Sequence, residues 1–161
     1  MRLALSTGRR VGEIAGLRWR DVRVTGMRIT LTFRHCKGNK SMSDTLSVPM
    51  SKVILDWMNA FYGPKLKNRG PDIPLWMSLS NNSKGKPLSI TSLEEISRRR
   101  LGVHFHALRH TFARIMEDQG AKVSDIQSRL GHESLQTTGR YLAALRRSDN
   151  PYADVFDNLL G

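Results

Sequence analysis

At 161 residues and 18.2 kDa, the chain is expected to fold as one domain over 1–161, and 39% hydrophobic with only 7% aromatic residues fits a soluble, mostly helical core. A formal net charge of +12 and a pI near 10.7 point to a polyanionic partner, and no amphipathic basic helix with bulky apolar anchors favours a membrane surface instead. No apolar run approaches the ~20 residues of a membrane span, no signal peptide is visible, and the single cysteine, Cys36, excludes an internal disulfide and fits a reducing, cytoplasmic compartment.

In chain order, Arg2 to Ser6 reads as the end of a helix closed by Thr7-Gly8. Arg10 begins a second helix with Val11, Ile14 and Leu17 on one face. Met27 to Phe33 alternates and is rich in β-branched residues, so a strand is expected there. A second strand is expected at Thr45 to Val48, with the polar turn CKGNKSMSD completing a hairpin. Ser51 to Phe61 follows as a helix capped by Ser51, with Val53, Ile54, Trp57, Met58 and Phe61 as its apolar stripe. Gly63 to Pro74 is a loop carrying Lys65, Lys67 and Arg69, and IPLWMSLS is a short strand or an extended segment packing Leu75 and Trp76. After a loop at Ser80 to Leu88, helices are expected at Thr91 to Arg100, Phe105 to Gln119, Val123 to Leu130 (capped by Ser124 or a neighbour) and Leu135 to Leu145. The tail from Tyr152 to Leu160 repeats a helical apolar pattern.

The stretch HFHALRHTFARIMEDQGAKVSDIQSRLGHESLQTTGRY, His104 to Tyr141, concentrates residues suited to phosphodiester chemistry. Arginine clamps non-bridging oxygens in a planar fork, histidine moves protons near neutral pH, and a tyrosine relieved of its proton is a nucleophile. His106 and Arg109 lie one turn apart on one helix face. A buried mid-helix arginine needs an anion partner, and its bland alternative is a salt bridge to Glu117 or Asp118. His106 alone would more often be a satisfied core histidine. His110 is expected to point elsewhere on the helix. His104, His106 and His110 lack a carboxylate or thiol at ligand spacing, so no metal is expected.

The motifs TGRRVGE, HALRHTFA and LGHESLQTTGRY resemble, in that order, the first, second and third boxes of the tyrosine recombinases, or phage integrases. The resemblance runs through nearly the whole chain. It implies a mainly α fold with a small antiparallel β-hairpin or sheet, the DNA breaking-rejoining catalytic domain, with the amino-terminal DNA-clamping domain and first helices absent. It implies site-specific recombination through a 3′-phosphotyrosyl intermediate, with no metal or cofactor and no small-molecule substrate. Double-stranded DNA and further recombinase subunits are the implied partners, and residues 151–161 a possible docking helix. The implied setting is a bacterial cytoplasm or nucleoid, or that of a phage-infected host.

Carried onto this chain, the resemblance assigns Arg10, Lys37, His106, Arg109, His132 and Tyr141 to catalysis, with Glu13 supporting Arg10. Arg9 is the alternative to Arg10, and is otherwise a DNA-backbone contact or solvated. Lys40 is the alternative to Lys37 in the hairpin turn, whose bland role is a basic surface touching phosphate. His132 also suits a helix C-terminus. Gly139 is expected to weaken its helix and let Tyr141 swing. Arg18, Arg20, Arg23, Arg28, Arg98 to Arg100 and Arg146-Arg147 are backbone contacts or solvated faces. Rival readings are a type IB topoisomerase-like enzyme, a truncated inactive DNA-binding relic, and a non-enzymatic basic interaction protein.

Overall fold

The computed structural model describes residues 1–36, 40–63 and 70–131. The chain divides into two compact units: a helical unit gathering Leu3–Arg9 with Glu94–Gly161, and a sheet unit holding Arg10–Leu93.

In the helical unit, α1 (Arg2–Thr7) ends where Gly8 turns left-handed at φ 65°. The Gly8 N–H donates to the Ala4 carbonyl at 2.8 Å. A Cβ at Gly8 would run into the Phe112 ring, so both the dihedral and the close approach require glycine. The helix α4 (Ile90–Leu101) leads, through a turn, to α5 (Phe105–Asp118), which buries Phe105, Leu108, Arg109 and Phe112. His104 supplies no side-chain cap to α5. Instead the Glu94 carboxylate accepts from the Phe105 N–H at 3.2 Å, placing negative charge at the helix start. The last helix described, α6 (Val123–Leu130), packs Ile126 and Leu130 against Phe112 and Ala113, with Met116 and Ala121 at the edge. Its N-cap is Lys122, with no side-chain cap bond, rather than Ser124; Gly131, at φ 62°, ends it.

The sheet unit opens with α2 (Val11–Ala15), a single 3-10 turn at Trp19–Asp21, and three antiparallel strands in the order β1-β2-β3. These are β1 (Val22–Thr25), β2 (Arg28–Cys36) and β3 (Lys40–Thr45). The central β2 faces Ile29, Leu31 and Phe33 inward, all essentially buried, as alternation dictates. Val22 stands opposite Leu31 on one side and Thr45 opposite Thr30 on the other, and the register shifts between Phe33 and Cys36. α3 (Val48–Tyr62) lays Ile54 and Met58 into the same core.

Several expectations are corrected here. The second strand is not Thr45 to Val48: it runs earlier, through residues read as turn, and Val48 already begins α3. The hairpin is the larger part of a three-stranded sheet. Ser47, not Ser51, caps α3, its hydroxyl accepting from the Met50 N–H at 3.3 Å. Ser51 lies one turn inside, fully buried, and its hydroxyl accepts from the Ile29 N–H at 2.9 Å, tying helix to sheet. Leu17 is buried beyond the end of α2 rather than on its face.

The segment Ile73 to Met77 forms no regular strand; it carries bends with isolated bridges at Pro74 and Met77, and it buries Leu75. Leu75 N donates to Leu17 O at 2.8 Å, Trp76 Nε1 to Ile14 O at 2.9 Å, and Tyr62 OH to Pro74 O at 2.7 Å. The helix expected at 135–145, the tail helix at 151–161 and the basic residues Lys65, Lys67 and Arg69 lie outside the described residues.

Candidate active site

Two clusters carry the residues of interest, one in each unit. In the helical unit, Arg109 is 2% exposed, and its guanidinium is held by the chain itself. Nη1 donates to the Gly8 carbonyl at 2.7 Å and Nη2 to the Leu130 carbonyl at 2.5 Å. Of the two acids offered as the bland alternative, Glu117 and Asp118, Asp118 is engaged by Arg114 at 3.0 Å. Both acceptors are neutral carbonyls, and the two bonds fix the plane of the guanidinium within the core.

His106, one turn earlier on α5, is exposed to solvent, which removes the core-histidine reading. His110 does not point away from it. The two rings meet edge to face with centroids 4.7 Å apart and planes at 88°. The four-residue spacing was the signal for this contact. Burial, then the positive charges of His106 and Arg109, push the His110 pKa down from 6.5 to about 4. Near neutral pH His110 is therefore uncharged.

In the sheet unit, Arg10 is the N-cap of α2 and Glu13 sits three residues on. Glu13 Oε2 accepts from the Arg10 N–H at 2.9 Å and Oε1 from Arg10 Nη1 at 3.1 Å. The Glu13 side chain is 5% exposed against 33% for Arg10, so a buried carboxylate orients a fork that reaches solvent. This is the pairing expected from the sequence. Arg9, in contrast, is 2% exposed, which excludes the solvated role considered for it.

Lys37, His132 and Tyr141 lie outside the described residues, as do Gly139 and Arg146-Arg147; Lys40 begins β3. Among the surface arginines, Arg20 pairs with Asp72, Arg18 Nη1 donates to the Asp72 carbonyl at 2.5 Å, and Arg99 pairs with Glu95 at 2.5 Å. They are therefore held rather than simply solvated. Sequence reasoning passed over Arg34, on β2, and its partner Asp21. The signal was weak, because the two are brought together only by the sheet.

Residues 1–147 match the phage integrase family, and the chain belongs to that family. It is 34% identical over 151 residues to tyrosine recombinase XerC of Staphylococcus saprophyticus, covering 88% of this chain and 47% of the relative. Transposase A from transposon Tn554 of Staphylococcus aureus is 32% identical over 143 residues, covering 81% of this chain and 38% of that protein. The chain thus spans about half or less of the length of these curated relatives. Among solved structures, XerA recombinase superposes with a TM-score of 0.68 at 24% identity, covering 91% of this chain and 55% of that one. XerH site-specific recombinase bound to difH substrate gives 0.69 at 23%, covering 88% and 40%. The fold is that of the tyrosine recombinase catalytic domain, as the motifs implied. No helix among the described residues is long and apolar enough to cross a membrane.

Proposed function

We propose that the chain carries out strand cleavage and rejoining in site-specific DNA recombination. The observation that carries this reading is the buried Arg109 guanidinium, fixed by two neutral carbonyls, with the exposed His106 one turn away. Arg10, oriented by Glu13, is the second fork for the scissile phosphate. The family membership and the XerH relative, solved with its difH substrate, support duplex DNA as the partner.

In this mechanism Arg109 and Arg10 hold the non-bridging oxygens and offset the charge that builds as phosphorus becomes five-coordinate; donors of this kind contribute on the order of 10²–10³ in rate each. Arg109 also bonds the Leu130 carbonyl, and His132 is assigned as a further donor to the phosphate. The Tyr141 oxygen attacks phosphorus while His106 takes its proton. The bond from phosphorus to the 5′ oxygen breaks, and Lys37 protonates that oxygen as it leaves. A 3′-phosphotyrosyl linkage and a free 5′-hydroxyl result. Attack by a 5′-hydroxyl from another strand reverses the sequence and conserves the bond energy. Exchange between duplexes calls for further copies of the protein, and the reaction belongs in the bacterial cytoplasm where such DNA lies.

The test uses a pool of nicked suicide duplexes of randomised sequence and denaturing gels. The unsubstituted chain is expected to form a covalent adduct and Tyr141→Phe none. An adduct that persists in Tyr141→Phe removes the assigned nucleophile. No adduct from either, with duplex binding retained, identifies the inactive relic.

A further inference from the structure

A cleft of about 330 Å³ opens in the sheet unit, lined by Gly12, Glu13, Gly16, Leu17, Arg18, Arg20, Asp21, Thr32 and Arg34. Its polar wall comes from three arginines and two carboxylates, and both carboxylates are already engaged. Glu13 is bound by Arg10. Asp21, whose side chain is 4% exposed, accepts from the Arg18 N–H at 2.9 Å and from Arg34 Nε at 2.6 Å. Arg18 and Arg20 are anchored in turn on the carbonyl and carboxylate of Asp72.

Arg34 differs from its neighbours. Only its Nε is engaged, the side chain remains 45% exposed, and among the described residues its two terminal nitrogens have no hydrogen-bond partner. Those nitrogens carry four N–H donors in one plane, the geometry that matches two oxygens of a phosphate. The buried Asp21 fixes that plane before any ligand arrives, so little side-chain freedom is lost on binding. Gly12 and Gly16 are exposed and present no side chain, so a ligand can approach the backbone closely. Thr32, whose hydroxyl meets that of Ser43 at 3.1 Å, adds a neutral donor or acceptor at the rim.

We propose that Arg34, oriented by Asp21, is the centre of a second phosphodiester site, holding a backbone phosphate of bound nucleic acid other than the one being cut. This rests on the DNA reading above and deepens it. Because Glu13 both lines the cleft and orients Arg10, the second site adjoins the Arg10 fork and fixes the register of the strand beside it.

The experiment measures binding of the full chain to a duplex oligonucleotide across a salt series. Each phosphate neutralised contributes about 0.9 to the slope of log affinity against log salt concentration, so Arg34→Gln should flatten the slope by about that amount. Asp21→Asn supplies a test of sign. It removes a negative charge, so a diffuse positive field predicts tighter binding, whereas an aligned fork predicts weaker binding. Where Asp21→Asn does not fold, as judged by circular dichroism, the Arg34→Gln slope decides alone. An unchanged slope in Arg34→Gln, or a folded Asp21→Asn that binds more tightly, overturns the second site while leaving the cleavage reading intact. Absence of duplex binding by the unsubstituted chain removes both.

Discussion

The two units hold their arginines by opposite means. In the helical unit Arg109 is buried and its bonds run to the carbonyls of Gly8 and Leu130. In the sheet unit Arg10, Arg20 and Arg34 reach solvent, and each leans on a carboxylate: Glu13, Asp72 and Asp21. A carboxylate orients a guanidinium and also cancels much of its charge. A carbonyl orients it through a neutral dipole, which offsets less of the charge than a carboxylate does. The buried arrangement therefore costs more stability when disturbed, because burial makes every unmet polar group expensive.

The sharpest way to break this comparison is to truncate one arginine of each kind. Arg109→Ala leaves two carbonyls without their donor and a hole in α5, and about 3 kcal/mol of stability should be lost. Arg10→Ala removes a half-exposed guanidinium while the Glu13 carboxylate keeps the residue-10 N–H, so the loss should be smaller, about 1–2 kcal/mol. Both should depress adduct formation by about a hundredfold or more. Urea unfolding beside the suicide-duplex assay separates the two effects, and equal stability losses would show that the distinction between carbonyl and carboxylate support is idle.

A smaller effect is expected at Gly8, whose carbonyl is one of the two supports. Gly8→Ala must take a positive φ and push against the Phe112 ring. Its destabilisation should be about 2 kcal/mol, with the midpoint of thermal unfolding as the measurement. No loss would mean that α5 yields easily at this contact.

The smallest effect concerns acid. The folded-state pKa of His110 is lowered from 6.5 to about 4. Between those values the unfolded chain takes up a proton that the folded chain refuses, so stability falls as pH drops across the window and is fully regained above about 6.5. His110→Asn should flatten the decline between pH 6.5 and about 5, above the range where most carboxylates titrate. The half-buried site keeps the effect modest. A decline of the same slope in the variant would place its origin elsewhere.

How much of this was legible in the sequence follows from how local each feature is. The helix α3 declared itself through its apolar stripe, α5 and α6 through their glycine stops, and Arg10 with Glu13 through three-residue spacing. The strand β1 gave no inward-outward alternation, because three of its four residues are exposed. The strand β3, KSMSDT, is polar because its outer face pairs hydroxyls with β2, Thr45 to Thr30 at 3.0 Å and Ser43 to Thr32 at 3.1 Å. Such a strand exists only by virtue of its partner, and composition alone reads it as a turn. The same holds for Ser51, which looks like a cap and is a cross-brace, and for Arg34 with Asp21, 13 residues apart and joined by the fold.

Arg109 ties together positions separated by 101 residues on one side and 21 on the other. During synthesis the Gly8 carbonyl waits for its partner, and the arginine cannot be seated until residue 130 has emerged. A half-made or locally unravelled polypeptide thus lacks a positioned Arg109, and the proposed cleavage would depend on completion of this unit rather than on the mere presence of the side chains.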